Sequence, residues 1–350
     1  MSDASMRHGS GRTGDRYSRQ TLFAGIAAEG QQRLGKAAVT IIGCGAMGSA
    51  LANNLARAGV GRLRLVDRDF VEANNLQRQT LYDEGDAADA TPKAVAAARR
   101  LRAVNSGVEV EPVVSDFTAD NALELLDGVD LALDGTDNFE ARYLLNDACV
   151  KLGIPWIYSG VIAAYGVSMT VRPGETACLR CAFPERPLPG TTPTCDTAGI
   201  LNGIVAAIGG VSSTEALKLL VGSDKLAKGL FWMDLWENLA ERIELPRQPD
   251  CPACGLHDYE YLDTALSEDS ATLCGRNAVQ VRPSQRGGSL DLAELARRLA
   301  PLGDVATNAY LLRAHLDGFE ITVFPDARAI IKGTDEPSVA RTVYARYIGA

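Results

Sequence analysis

The run Val39-Thr-Ile-Ile-Gly-Cys-Gly-Ala-Met-Gly48 limits what this chain can fold into more than any other stretch. Its apolar, β-branched start reads as a buried parallel strand, and the Ala/Leu-rich residues 49–58 read as a helix. Between them Gly43, Gly45 and Gly48 keep a G-x-G-x-x-G spacing. Glycines so placed let the chain turn tightly, bring backbone up to a phosphate and let helix pack close on strand. The helix N-terminus, with free N–H groups and a positive dipole end, then faces the anion. A second apolar run, 63–66, ends in Asp67, 19 residues after Gly48, where a carboxylate can hold ribose hydroxyls. This is a nucleotide-binding start. The glycines do not tell one nucleotide from another, nor hydride transfer from other chemistry.

Strand and helix patterns alternate through about residue 160. Helices are expected at 26–34, 93–103, 119–126 and 138–152, and strands at 109–114, 130–134, 155–158 and 166–171. Such alternation predicts an α/β fold with a doubly wound, mostly parallel sheet and helices on both faces. Ligands in such sheets sit beyond the carboxyl ends of the strands, where the glycine run, Asp67 and Gly135-Thr136-Asp137 all fall. A proline-rich loop covers 173–196, followed by a helix at 200–221 and strands near 229–234 and 240–245. Past residue 256 the pattern changes: 257–271 reads as a linker and 272–350 as a small α+β domain. Residues 1–15, rich in Ser, Gly, Arg and Asp, read as a disordered leader with no signal peptide or anchor.

A net charge of −9 argues against a general nucleic-acid-binding surface. The most apolar stretch, 200–221, carries Asn202, Ser212, Ser213, Thr214, Glu215 and Lys218, which suits a buried helix better than a membrane span. Eight cysteines without a secretory signal point to a reducing cytoplasm and to metal or thiol chemistry. Cys178 and Cys181, with Cys251 and Cys254, form two C-x-x-C pairs, and four thiolates match tetrahedral Zn²⁺. Four sulfur ligands leave no open position, so the metal would be structural; the alternative is four unpaired or redox cysteines. Cys44 and Cys149 lie on apolar elements and read as core, and Cys274 reads as structural.

Arg16-Tyr-Ser-Arg-Gln20, Asn75-Leu-Gln-Arg-Gln79, Pro92-Lys93, Asp134-Gly-Thr-Asp-Asn138 and the cysteine pairs follow one another around this fingerprint. In that order they make residues 16–256 resemble the ThiF/MoeB adenylyltransferases, relatives of the ubiquitin-activating enzymes with a Rossmann-like fold. The resemblance implies ATP and Mg²⁺ binding and adenylation of the C-terminal glycine carboxylate of a ubiquitin-like sulfur carrier of the ThiS/MoaD type, ending in Gly-Gly. It also implies a cytoplasmic homodimer serving thiamin or molybdopterin biosynthesis with a sulfur donor such as a cysteine desulfurase or a rhodanese. Arg78 and Lys93 would hold the phosphates, Asp137 the Mg²⁺ and Asp67 the ribose, with Asp69 and Asn75 in support. Arg19 would be an arginine finger from the partner subunit. Cys195 matches a position that some members use for a thioester or an acyl disulfide with the carrier.

The chemistry suits these residue types. A carboxylate attacking an α-phosphate brings two anions together and expels pyrophosphate, so cations carry the stabilisation. The attacking carboxylate is already ionised, so a chain with only His8, His257 and His315 lacks nothing. Bland readings stand beside the sharp ones. Lone Arg and Lys side chains are usually solvated, Asp137 could cap the helix at Asn138, and Asp67 could organise its own turn with Asp69. Met47, where a further glycine often stands, adds bulk near the nucleotide. A Rossmann oxidoreductase would leave Arg19, Arg78, Lys93 and the cysteines unexplained. The alternatives to a carrier are a peptide, a small molecule or tRNA as substrate, or a non-catalytic scaffold. The segment 272–350 is too short for a rhodanese domain and resembles the extension of longer ThiF-type proteins; docking of the carrier or of a sulfur-transfer partner is its expected role.

Overall fold

Strand β1 (Ala38–Ile42) is buried at four of five positions, as a continuous apolar run in a parallel sheet should be. The structure is a computed structural model that describes residues 16–187, 195–263, 270–273, 277–281 and 290–349, without the side chains of 195–196 and 270–273. The leader and Cys274 lie outside those residues. Strands β2 (Arg62–Val66), β3 (Glu109–Val113), β4 (Leu131–Asp134) and β5 (Trp156–Ile162) join β1 in the parallel order β3-β2-β1-β4-β5.

The first helices are α1 (Ser18–Thr21), α2 (Ala27–Leu34), α3 (Ala46–Ala58), α4 (Glu84–Ala88), α5 (Lys93–Val104), α6 (Ala122–Leu125) and α7 (Phe139–Leu152). On one face Leu51 and Leu55 of α3 and Ala97 and Leu101 of α5 pack with Ile41, Leu63 and Leu65 of the strands. On the other, Tyr143, Leu145 and Ala148 of α7 pack with Ile42, Val66 and Trp156. Alternate strand residues feed the two layers, as the pleat requires. The helix expected at 119–126 contracts to the single turn α6, and α4, held by a capping box between Asp83 and Asp86, was not anticipated.

Beyond β5 the sheet changes sense. Strands β6 (Tyr165–Val171), β7 (Leu230–Asp234) and β8 (Leu239–Ile243) add antiparallel, so the sheet is mixed: four pairings are parallel and three antiparallel. The cause is local. A tight turn at Ala163, with φ 50°, joins β5 to β6, and a two-residue reversal leaves no room for a crossover helix. Helices α8 (Leu179–Ala182), α9 (Cys195–Ala198) and α10 (Asn202–Val221) lie between β6 and β7. By length and composition α10 could cross a membrane. In this fold it is seated on the sheet, where the Ser212 hydroxyl meets those of Ser159 and Ser168 at 2.9 and 2.8 Å, and Asn54 of α3 donates to Ser213 at 3.0 Å.

The described residues form two compact units, one made of those within 1–186 and 200–262 and the other of those within 187–199 and 263–350. The second holds an antiparallel sheet of β9 (Ser270–Leu273), β10 (Ala278–Val281), β11 (Asp304–Thr307), β12 (Leu312–Leu316), β13 (Phe319–Val323) and β14 (Ala329–Lys332), in the order β11-β12-β13-β14-β10-β9. Helices α11 (Leu292–Leu299) and α12 (Pro337–Tyr347) supply Leu295, Leu299 and Val343 to a core with Leu312, Ile321 and Ile331.

Candidate active site

The glycine loop, the 67–79 loop, the start of α5 and the β4–α7 loop meet at the carboxyl ends of β1, β2 and β4. Gly43 takes φ +86°, and a Cβ there would come within 2.7 Å of the Gly135 backbone. A Cβ on Gly48 would lie 1.8 Å from the Gly43 carbonyl oxygen, so packing alone requires these two. Gly45 differs. As N-cap of α3 it would place a Cβ 3.8 Å from the Gly135 oxygen and 3.9 Å from Gln79 Nε2, which is ordinary contact. The space a side chain would fill lies at the helix N-terminus, where an anion is favoured. Met47 does not intrude there; it is 3% exposed and belongs to the core.

Asp67 serves its own loop first. Its Oδ2 accepts the Cys44 N–H at 2.6 Å and its Oδ1 the Asp69 N–H at 2.7 Å, which ties the glycine loop to β2. Burial pushes its pKa up, while Lys93 works in the opposite direction. Lys93 opens α5 behind Pro92 and is 5% exposed, with Nζ 3.3 Å from Asp69 Oδ2 and its backbone N–H on the Asp69 carbonyl at 2.9 Å. A nearly buried ammonium beside the glycine loop is poorly solvated and suited to an incoming anion.

Asn75 closes a 3₁₀ turn (Ala73–Asn75) in a capping box with Glu72 and is 4% exposed. Its amide donates to Asn74 Oδ1 at 2.8 Å, and Arg78 Nη1 donates to the Asn74 carbonyl at 2.8 Å, so Arg78 is folded onto its own turn. Gln79 is 4% exposed, and its Oε1 has no hydrogen-bond partner. A buried amide oxygen without a partner beside Gly45 is costly unless a ligand or water satisfies it. In the sequence Gln79 only closes the Asn75–Gln79 motif; its burial is evident from the fold alone.

The β4–α7 loop rests on an ion pair that sequence reasoning missed. Asp134, fully buried, accepts from Arg142 Nε at 3.1 Å and from the Thr136 hydroxyl and N–H at 2.7 and 2.9 Å. Arg142 Nη2 donates to the Thr136 carbonyl at 2.8 Å, and its guanidinium lies over the rings of Phe139 and Tyr158. This scaffold presents Asp137 at the surface. The helix cap belongs to Asn138, whose side chain accepts the Ala141 N–H at 2.8 Å, so capping does not account for Asp137.

Arg19 is not brought to these residues within the chain. Helix α1 docks at the far end of α3, where Gln20 donates to the Ala58 carbonyl at 2.8 Å and Asn105 to the Tyr17 hydroxyl at 2.8 Å. Helix α3 spans about 20 Å, and Arg19 itself is exposed. Cys195 opens the short α9; its side chain lies outside the described residues.

Cys178, Cys181, Cys251 and Cys254 do converge. Sγ atoms of 178 and 181 lie 3.9 Å apart, those of 178 and 251 3.6 Å, and those of 181 and 254 3.4 Å. Four thiolates around Zn²⁺ at about 2.3 Å would stand about 3.8 Å apart, so the donor set fits the metal. The knuckles are braced on α7. Asn146 accepts the Leu179 N–H at 2.9 Å, and Asp147 accepts the Tyr261 N–H at 3.2 Å. Arg180, 5% exposed, lies over the Tyr261 ring and pairs with Glu260 at 3.2 Å.

Burial pushes the Asp147 pKa up to about 6, above its ordinary 3.8. The folded protein therefore holds a proton there that the unfolded chain has released, and this residue's contribution to stability falls as pH rises between about 4 and 6. Denaturant midpoints should reflect this. Relative to Asp147→Asn, the wild type should lose up to about 3 kcal/mol across that range. A difference independent of pH would contradict it.

The sequence profile of the ThiF family matches residues 17–253. The Bacillus subtilis "sulfur carrier protein ThiS adenylyltransferase" is 44% identical over 337 residues, covering 95% of this chain and 99% of that one. The Thermus thermophilus "sulfur carrier protein adenylyltransferase" is 41% identical and covers 70% of this chain and 95% of its own. Among solved structures, Escherichia coli MccB matches with a TM-score of 0.62 at 23% identity, over 70% of this chain and 75% of that one, a likeness of fold.

Proposed function

The chain belongs to the ThiF family, and from that premise we propose that it uses ATP to adenylate the C-terminal glycine carboxylate of a ubiquitin-like sulfur carrier ending in Gly-Gly. The observation that carries this reading is the meeting of Lys93, the open Gly45 cradle and the exposed Asp137 at one end of the sheet, in a chain matched almost end to end by a carrier adenylyltransferase. The substrate in that relative's name, ThiS, favours thiamin over molybdopterin biosynthesis for the sulfur delivered.

In this reading the glycine loop and the α3 N-terminus cradle the phosphates, and Lys93 and Arg78 neutralise them. Arg78 must first leave the Asn74 carbonyl. Asp67 keeps lone pairs for the ribose while its backbone contacts hold the loop, and Asn75 and Asp69 shape the walls. Asp137, an oxygen donor suited to a hard cation, would hold Mg²⁺, which supplies charge neutralisation on the polyphosphate. The four cysteines would hold a structural Zn²⁺. We further propose that Cys195 takes part in thiol chemistry with the carrier, that the protein works in the cytoplasm as a homodimer, that residues 272–350 dock the carrier or a sulfur donor, and that the donor is a cysteine desulfurase or a rhodanese. Incubation with ATP and a candidate carrier should add the mass of an adenylyl group to the carrier; no adduct with any Gly-Gly carrier would refute the reading.

The position of α1, at the far end of α3 from the glycine loop, supports Arg19 acting across a homodimer. Mixing Arg19→Ala with Lys93→Ala chains should then restore activity, to about a quarter of wild type on random pairing, because each mixed dimer has one complete site. Each variant alone should fall far below that level. No recovery on mixing would mean that Arg19 does not act in trans.

A further inference from the structure

Arg68 stands between Asp67 and Asp69 and has no part in the roles above. Its Nη1 lies 3.2 Å from both carboxylate oxygens of Asp116, just past the end of β3, and its Nε 3.7 Å from Asp69 Oδ1. The other Asp69 oxygen is 3.3 Å from Lys93 Nζ. All three side chains are only about one-fifth exposed, at 22, 21 and 20% for Arg68, Asp69 and Asp116. Burial alone would weaken the charge on Arg68, yet Asp116, Asp69, Asp137 and Asp67, in that order, more than offset it. Carboxylates from the ends of β2, β3 and β4 thus act on a single guanidinium, and Lys93 is the second cation among them.

We infer that Arg68 is a resident counter-cation of the nucleotide site: it occupies the carboxylates of Asp69 and Asp116, so that a divalent ion binds weakly to the protein alone and enters together with the triphosphate. The inference rests on the assignment of this pocket to a metal–nucleotide substrate. Its physical basis is ordinary. Oxygen donors that attract a guanidinium also attract a hard divalent cation, and a fixed positive charge a few ångströms away disfavours that second cation. Arg68 would hold the acidic walls together between turnovers without leaving the site permanently metallated.

The test needs neither carrier nor ATP, so its outcome is separable from that of the adenylation assay. Mn²⁺ serves as the probe, titrated into nucleotide-free protein while the signal of the free ion is followed by electron paramagnetic resonance. Arg68→Gln should bind Mn²⁺ at least about tenfold more tightly than wild type, whereas Arg68→Lys, which keeps the charge, should stay within about threefold of it. The double variant Arg68→Gln/Asp116→Asn should return towards wild type, because a carboxylate is removed along with the cation. If Arg68→Gln is poorly folded, its melting temperature should rise with Mn²⁺ more than with Na⁺ at equal ionic strength, and more than that of wild type. Mn²⁺ affinity, or this selective rescue, no greater in Arg68→Gln than in wild type would overturn the inference.

Discussion

Lys93→Ala should lower carrier-dependent turnover by about 10²- to 10³-fold, the range expected when one preorganised stabilising group is removed from a water-poor site. The side chain is 5% exposed and begins a helix whose backbone is tied to Asp69, so the loss should fall on chemistry more than on folding. The Lys93 N–H···Asp69 carbonyl bond survives the substitution, as does the Val71 N–H bond to the Thr91 carbonyl that pins the same loop. Asp69 keeps Arg68 within 3.7 Å and is not stranded. Steady-state kcat/KM should therefore fall steeply while the melting temperature moves little. Lys93→Arg should recover only part of the rate, because a wider planar group must fit a nearly closed site. Full turnover in Lys93→Ala would remove the phosphate assignment.

The second large effect concerns the cysteine cluster. Purified protein should carry one zinc per chain, and Cys254→Ser or exhaustive chelation should destabilise the first unit on the order of 3–5 kcal/mol, less than the roughly 10–16 kcal/mol seen where zinc is the whole core. The difference has a structural reason. Cys178, Cys251 and Cys254 are buried beside Trp156, Leu179 and Ala253 in an extensive apolar cluster, so the metal would be only one part of a larger core. What is lost is the link between the 178–181 knuckle and the 251–262 segment, after which Tyr261 is released from Tyr143, whose ring centroid lies 5.1 Å away, and from Asp147. Metal content by atomic absorption and chemical denaturation of the same samples measure both halves. A metal-free preparation as stable as the loaded one would contradict it.

What could be read from the chain was local and periodic. The Gly43–Gly48 spacing, the apolar run of β1 and the C-x-x-C pairs each declare themselves within a few residues, and the structure builds the strand–turn–helix and the thiol cluster where they were expected. The reversal at β6 escaped because its turn is made at Ala163, a non-glycine at positive φ that carries no turn signal. The strand expected at 155–158 also stopped short of Gly160, which is in fact paired with Val167. The Asp134–Arg142 pair, the orphaned oxygen of Gln79 and the Arg180–Glu260 pair were illegible for another reason. Each depends on residues meeting in three dimensions, and a lone Arg or Gln in sequence is usually solvated. Arg19 was expected to act from a partner subunit, and the fold sets it at the other end of α3 from the chain's own glycine loop.

The central claim is that this nucleotide site activates a carrier's terminal carboxylate. ATP–pyrophosphate exchange measures that step directly, since label returns to ATP only if an acyl-adenylate forms reversibly. The account predicts exchange that requires a carrier ending in Gly-Gly and disappears when the last glycine is deleted. Exchange of equal rate without any carrier, or none with every such carrier, would contradict it.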